Sequence, residues 1–425
     1  MNGESRMVKD NHGTGELFGL RVSGDQPTAA VHLYASADSG QTWRLVSSAP
    51  ASAAGCVGQC SMFPSKVLAL TQDSTGKVHV LLGANDYSIG GTFREYYVGL
   101  KLNYNANSTV KSYNLESVIP LPDHKRSVNV LSDLRGDIKI IDVAGSEQLM
   151  YVMNVTTSQD IKVFIGRSTT LAPAATSDFV GLSGAAGDTK LVDSCTFTTP
   201  QGGSYCSVAP AFFSTHNMTT AFGQNRSNKD VYVFLGAIEA DYGIANDPVN
   251  QPEETHLRYY RLTWNGSNGW TVNAPVVVAT DNGSYMPLLF NVQSGGNYVW
   301  LMYLHPNNGI TFGRVDAVGT YATVTNPVAA KNHNGWGVFA VAPDDSKIWS
   351  IWNISVVSGA SPQTAQAYWN GTTWSIFNDV GVVTGDNSGM GGSCGWSNGV
   401  AAILFRGTLL RNNPPIPEAA TIWGQ

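Results

Sequence analysis

Apolar residues along this chain come in paired short runs, each pair joined by a small polar turn. Residues 67–70 and 78–82 flank Asp73-Ser74-Thr75-Gly76, and residues 138–143 and 149–152 flank Ala144-Gly145-Ser146. The same pattern recurs at 219–223 with 231–235, at 288–292 with 298–301, at 338–341 with 348–352, and at 394–396 with 400–405. Runs this short and this continuous in hydrophobicity read as strands covered on both faces, paired as hairpins. A second pair of runs, ending in an aromatic or apolar strand, follows the middle hairpins. Its clearest forms are residues 34–43, 259–270 and 368–374, with weaker ones at 312–321, 164–179 and 97–113.

Four strands repeated in this way predict an all-β chain folded as a β-propeller over residues 1–425 as one domain. Six or seven four-stranded blades fit the count, and seven is favoured. One blade is expected to combine strands from both termini, because that closure removes the exposed edges of an open ring. An irregular β-sandwich or two stacked β-domains is the alternative.

Composition agrees with strands. Charged residues make up 13% of the chain, about half the usual share. Long helices carry many charges on their wet face, so a helical fold is disfavoured. The net charge is −6, with no run of Lys or Arg longer than two. A nucleic-acid partner needs a basic stripe, so none is expected. No apolar stretch of about 18 residues is present, so no membrane insertion is expected. Residues 1–10 lack the apolar centre of a signal peptide. Export with a lost leader, or release on a virion, is the expected route to an extracellular setting.

Five cysteines bear on that setting. Cys195 and Cys206 flank a Gly-Gly turn, and Cys56 and Cys60 bracket a three-residue loop. Two local disulfides with Cys394 left over is one reading, and five buried thiols is the other. No CxxC pair or His-x-x-x-His spacing occurs, so zinc is not expected.

Ser36-Ala37-Asp38-Ser39-Gly40-Gln41-Thr42-Trp43 fills every fixed position of the Ser-x-Asp-x-Gly-x-Thr-Trp pattern. Asp38 is placed to accept backbone N–H bonds within a hairpin, Gly40 tolerates positive φ, and Trp43 can pack over the turn. The string resembles the Asp box, the bacterial-neuraminidase repeat of sialidases and their relatives. Degenerate copies are expected at residues 265–270 and 370–374, which keep the turn and a tryptophan. The resemblance implies a sialidase-like propeller with this turn on the face opposite the active site. The family's Phe-Arg-Ile-Pro motif is absent, and the nearest string is Phe93-Arg94-Glu95-Tyr96.

Loops that enter an innermost strand ring the channel mouth of a propeller. His12, His216 beside Asn217, and His333 beside Asn334 precede such strands, as does Arg135. His124 and Arg126 lie just upstream of Arg135, and Trp336 follows Asn334 closely. Histidine and arginine at one mouth suit general-base chemistry or the binding of sugar hydroxyls, and Trp336 suits stacking on a sugar ring. Solvated loop residues are the alternative for each. His12 carries a difficulty: if the Asp box joins third and fourth strands, residues 16–22 form a second strand and His12 falls on the other face.

Asp10-Asn11-His12-Gly13 also resembles a string of neuraminidase-repeat polysaccharide lyases, which implies proton abstraction beside a uronate. Phe63-Pro64 and Gly83-Ala84 depart from that family's Tyr-Pro and strand-end arginine. Residues 237–256 read as a long loop holding Glu239, Asp241, Asp247, Glu253 and Glu254. It could cap the pocket, supply a carboxylate such as Glu254 for glycoside hydrolysis, hold calcium, or be a surface loop. No other cofactor is expected, and nothing in the sequence sets the oligomeric state. The expected function is an extracellular or virion-associated glycan-recognition propeller, with a polysaccharide lyase or glycoside hydrolase as the alternative.

Overall fold

Every paired run becomes an antiparallel hairpin, and the hairpins assemble into sheets in chain order. In the computed structural model the first sheet is β1 (Ser5–Lys9), β2 (Leu17–Ser23), β3 (Ala30–Ser36) and β4 (Arg44–Pro50). The second is β5 (Met62–Gln72), β6 (Lys77–Asp86), β7 (Thr92–Tyr104) and β8 (Val110–Pro120). The third runs β9 (Gly136–Val143), β10 (Ser146–Thr156) and β11 (Ile161–Ser168), with β12 (Phe179–Val180) and β13 (Thr189–Asp193) both on β11. The fourth is β14 (Thr219–Gln224), β15 (Val231–Ala240) and β16 (Glu253–Trp264), with β17 (Trp270–Val272) and β18 (Val276–Asn282) both on β16. The fifth holds β19 (Phe290–Ser294), β20 (Val299–His305), β21 (Gly309–Val315) and β22 (Tyr321–Val324). The sixth holds β23 (Gly337–Val341), β24 (Ile348–Ile354), β25 (Gln363–Trp369) and β26 (Trp374–Asn378). The last is β27 (Gly392–Ser397), β28 (Val400–Leu409) and β29 (Ile416–Gly424). The structure describes residues 5–23, 30–38, 42–50, 62–86, 92–122, 136–156, 161–193, 219–240, 253–266, 269–282, 290–305, 309–324, 337–354, 363–378, 392–397, 400–409 and 416–424.

The fold is an all-β propeller with six four-stranded blades. In the third and fourth blades the outermost position is shared by two short strands laid end to end along one neighbour. Among the described residues the expected seventh four-stranded blade is not formed, since the last sheet has three strands there. Nor do described strands of the two termini share a sheet. The Asp-box turn joins β3 to β4, so β1 and β2 are needed upstream of it within the first blade. That leaves no N-terminal strand for the last sheet.

The first strands of the sheets stand side by side around the centre. β1 adjoins β5, β5 adjoins β9, and the series continues through β14, β19, β23 and β27, which lies against β1. Alternate residues of each blade therefore face opposite neighbours, which is why its runs are apolar throughout. Val80 and Leu82 of β6 pack with Phe18, Leu20 and Leu33 of the first blade. Leu81, between them, packs with Leu149, Tyr151 and Phe179 of the third. Both sides are fully covered, and each such side chain contributes about 1.5–3 kcal/mol on burial. The other described seams repeat the arrangement, with Trp300, Phe312, Phe339 and Trp369 filling the one between the fifth and sixth blades.

Candidate functional site

The strand order gives the ring two unlike faces. One carries the turns between first and second strands and between third and fourth strands, and is here the hairpin face. The other receives the connections between blades and between second and third strands, and is here the loop face.

The Ser36–Trp43 string, read above as resembling an Asp box, lies on the hairpin face between β3 and β4. The Ser36 hydroxyl donates to Asp38 Oδ1 at 2.7 Å, and the Thr42 N–H donates to the same oxygen at 2.9 Å. The Thr42 hydroxyl donates to Oδ2 at 2.6 Å. Desolvation raises the Asp38 carboxyl, but the bonds from Thr42 and Ser36 outweigh it and hold the group down to about 2. Trp43 packs against Met7 and Leu17. Gly40 lies outside the described residues.

The two strings expected as degenerate copies each carry an asparagine that accepts backbone N–H bonds within its turn. Asn370 Oδ1 accepts the Thr372 and Thr373 N–H groups at 3.0 and 2.9 Å, and Asn265 Oδ1 accepts the Gly269 N–H at 3.2 Å. A turn with the same kind of bonding, between β21 and β22, is absent from the sequence reading. Asp316 Oδ1 accepts the Val318 and Thr320 N–H groups at 3.0 and 2.8 Å, with Gly319 at φ +89°. Tyr321 stands where the tryptophan would be. The spacing Asp-x-x-Gly-Thr-aromatic was the available signal.

Several described polar groups of this face tie one blade to the next. Asp10 Oδ1 accepts Gln72 Nε2 at 2.9 Å and the Tyr104 hydroxyl at 3.0 Å, and the Asn11 N–H donates to Gln72 Oε1 at 2.7 Å. The buried Glu16 carboxylate takes both terminal nitrogens of Arg44 and, at 2.6 Å, the Val110 N–H of the second blade. Glu147 of the third blade accepts the Ser74 hydroxyl of the second at 2.6 Å. Gln224 of the fourth accepts the Asp142 N–H at 2.8 Å and donates to the Asp142 carbonyl at 2.7 Å. Asp345 of the sixth blade accepts the buried Trp300 indole N–H at 2.7 Å and the Asn297 N–H at 2.6 Å.

His12 belongs to this network and not to the loop face. It sits in the β1–β2 turn, with its N–H donating to Asp10 Oδ1 at 3.1 Å. Its ring lies over Gly76 of the second blade, where an added Cβ would come within 3.0 Å of the imidazole. The register of the Asp box forces this placement, because β2 runs from Leu17 towards the loop face.

On the loop face, β9, β14 and β23 are innermost strands. His124, Arg126 and Arg135 fall in the segment before β9, His216 and Asn217 in the one before β14, and His333, Asn334 and Trp336 in the one before β23. These eight residues lie outside the described residues, as do Cys56, Cys60, Cys195 and Cys206. Cys394 is in β27, opposite Ile403. The loop drawn over residues 237–256 is shorter than expected. Residues 237–240 and 253–256 extend the β15–β16 ladder, which places Glu254 opposite Glu239. Like charges at facing positions disfavour pairing, which is why the sequence reads as loop there.

Just inside the mouth, Asp137 and Lys139 of β9 pair at 2.7 Å. Asp137 accepts the Phe222 N–H of β14 at 3.2 Å, and Lys139 donates to the Phe222 carbonyl. These side chains satisfy edge groups of the neighbouring innermost strand, so they hold β9 and β14 together. Sequence reading also missed a sealed triad. His79 is fully buried, with Nε2 3.1 Å from Asp73 Oδ2 and Nδ1 2.9 Å from the Tyr97 hydroxyl. Burial raises the Asp73 carboxyl, but bonds from His79 and Thr75 bring it below the usual range. Its lack of exposure suits a structural role. Among the described residues no group of three His, Cys, Asp or Glu side chains gathers as a metal site, and no helix is long and apolar enough to cross a membrane.

No family model matches the chain, and no curated protein matches it. Solved structures do. The Penicillium chrysogenum alpha-L-arabinanase complexed with arabinobiose is similar at TM-score 0.46 and 10% identity, over 88% of this chain and 92% of that one. A B. megaterium levansucrase mutant is similar at TM-score 0.45 and 12% identity, over 77% and 85%. The fucose-specific lectin from Aleuria aurantia is similar at TM-score 0.41 and 12% identity, over 82% and 88%.

Proposed function

We propose that this chain is a glycan-recognition propeller, sialidase-like in its Asp-box turn, that works outside the cell or on a virion and binds carbohydrate at the loop-face mouth of its channel. In this reading His216, Asn217, His333 and Asn334 bond sugar hydroxyls, Trp336 stacks on a ring face, and His124, Arg126 and Arg135 line the rim. The observation that supports it is the order of segments and strands: those rich in His, Asn, Arg and Trp directly precede innermost strands, while several described polar groups at the opposite end bond between blades. Amides and imidazoles with one aromatic platform are what a sugar site needs.

A glycan array probed with the full chain tests the reading, run beside reducing-end and unsaturated-product assays on the polysaccharides that bind. Binding without turnover is expected. A His216→Ala/His333→Ala double variant should bind the strongest array glycan about 5- to 150-fold more weakly, since each lost hydrogen bond is worth about 0.5–1.5 kcal/mol. Unchanged binding in that variant removes the site. Turnover replaces the reading with the lyase or hydrolase alternative.

A further inference from the structure

Arg261 and Arg314 occupy the same place in successive blades, and among the described residues only Arg261 meets a counter-charge. Each lies on a third strand, opposite the aromatic residue one step into the second: Arg261 faces Tyr232, and Arg314 faces Trp300. Each shares the parity of a residue buried in the following seam, Tyr259 for the fourth–fifth and Phe312 for the fifth–sixth. Both guanidinium groups therefore enter a seam at its hairpin-face end. Arg261 is spent there. Its Nε donates to Asp230 Oδ2 at 2.7 Å, and its Nη1 donates to the Val318 carbonyl of the fifth blade at 2.8 Å. In the fifth blade the place of Asp230, just ahead of the second strand, is taken by Tyr298. The turn that carries Val318 has five residues, 316–320, whereas its counterpart in the sixth blade has four, 370–373. Arg314 instead stacks, with Cζ 4.2 Å from the Tyr298 ring centroid and 5.5 Å from that of Trp300. Its half-buried guanidinium makes no ion pair or hydrogen bond among the described residues. Stacking uses the flat face of the group and leaves its in-plane N–H donors unspent.

We infer that the hairpin-face end of the fifth–sixth seam is a carboxylate-binding site, in which a ligand carboxylate takes on Arg314 the place that Asp230 takes on Arg261. A planar carboxylate matches the guanidinium fork with two parallel N–H···O bonds. Tyr298 and Trp300 hold the fork in place beforehand, so little side-chain freedom is lost on binding. A dianion such as phosphate is disfavoured. The Asp345 carboxylate already accepts the Trp300 indole N–H, so one negative charge stands at the ring that Arg314 covers, and a doubly charged ligand is repelled more strongly. The class is thus a monoanionic carboxylate, from an acidic sugar or a free organic acid. The site lies on the face opposite the proposed glycan mouth and does not depend on it.

Isothermal titration calorimetry of the full chain with glucuronate, acetate and inorganic phosphate tests the site. Both carboxylates should bind in the millimolar range, and phosphate more weakly. Glucuronate binding tighter than acetate makes the acidic sugar the source, and equal binding makes it the free acid. Arg314→Gln should weaken acetate binding at least ~10-fold, the loss of a charge-assisted hydrogen bond, and Arg314→Lys, which keeps the charge without the fork, by less. Tyr298→Asp supplies the missing internal carboxylate, so it should abolish acetate binding with an unchanged circular dichroism spectrum. The His216→Ala/His333→Ala variant should bind acetate as the wild type does, which separates this site from the mouth. A wild-type chain that binds neither carboxylate overturns the inference, as does acetate binding that survives Arg314→Gln or Tyr298→Asp. Phosphate binding tighter than acetate overturns the ligand class.

Discussion

Replacing Asp345 by alanine removes the bond that most directly ties the fifth blade to the sixth. Its carboxylate takes the Trp300 indole N–H at 2.7 Å and the Asn297 N–H at 2.6 Å, and Trp300 is fully buried. A hydrogen bond to a charged acceptor is worth about 1.5–3 kcal/mol, and a buried donor left without a partner costs about 1–3 kcal/mol. The Trp300 N–H has no water to turn to, whereas the Asn297 N–H is nearer the surface, so the loss should be about 3–5 kcal/mol. The entropy of unfolding grows with chain length, so for 425 residues each kcal/mol moves the midpoint by about 1 °C, giving a fall of about 3–5 °C. Asp345→Asn should fall about half as far, because the amide oxygen keeps one of the two bonds and asparagine tolerates the positive φ of 64° at this position. Gly295→Ala should resemble Asp345→Ala, since a Cβ there would lie 1.8 Å from Asp345 Oδ1 and displace the carboxylate. Differential scanning calorimetry of the three variants, with tryptophan fluorescence followed in parallel, gives the order. A fall under about 1 °C for Asp345→Ala, or an equal fall for Asp345→Asn, refutes the assignment of stability to this bond.

Three further outcomes follow from the same geometry. The Asp38 carboxyl sits at about 2 against an ordinary 3.8, so its stabilisation is complete above the ordinary value and is lost as pH falls through the lower one. Asp38→Ala should therefore cost about 1 kcal/mol at neutral pH, the linkage value being reduced for solvent screening, and progressively less as pH falls from ~4 through ~2 in paired denaturant titrations. His79→Leu keeps the volume but strands a buried carboxylate and a tyrosine hydroxyl, so thermal melts should show a loss of about 3 kcal/mol or more. Because Asp73 is held below its usual range partly by His79, the same variant should begin acid unfolding at higher pH than the wild type. His12→Ala should leave glycan binding unchanged on the array, and a clear loss would return that imidazole to the binding face.

The hairpins were legible because two local signals coincide in each. Apolar runs give the strands, and Asp, Asn or Gly at the junction gives the turn, as at Asp73–Gly76 and Asn225–Asp230. β1 was not legible. Arg6 and Lys9 break its apolar run, and the strand is set by pairing with β2. The β15–β16 ladder was cut short in the reading for the same reason, since Glu239, Glu253 and Glu254 look like loop and are strand only because their partners continue. Blade count depended on what the last segment could recruit, a long-range matter that no window of sequence holds. For the site, the order of segments was readable but their convergence was not. A loop residue carries no periodicity, and where it stands is decided by which strand it feeds.

The placement of His12 shows how far a turn can settle that last question without any ligand. A β-strand reverses direction at each hairpin, so one securely placed turn fixes the end at which every other connection of its blade must lie. The Asp box, read as joining third and fourth strands, puts the β1–β2 turn on its own face. The same parity puts the first residues of β9, β14 and β23 at the other end of the ring, and these strands are innermost. On the hairpin face the Asp10, Glu16, Gln224 and Asp345 side chains already meet partners on adjacent blades. The first described residues of β9, β14 and β23 stand at the opposite end of the ring from these cross-blade bonds.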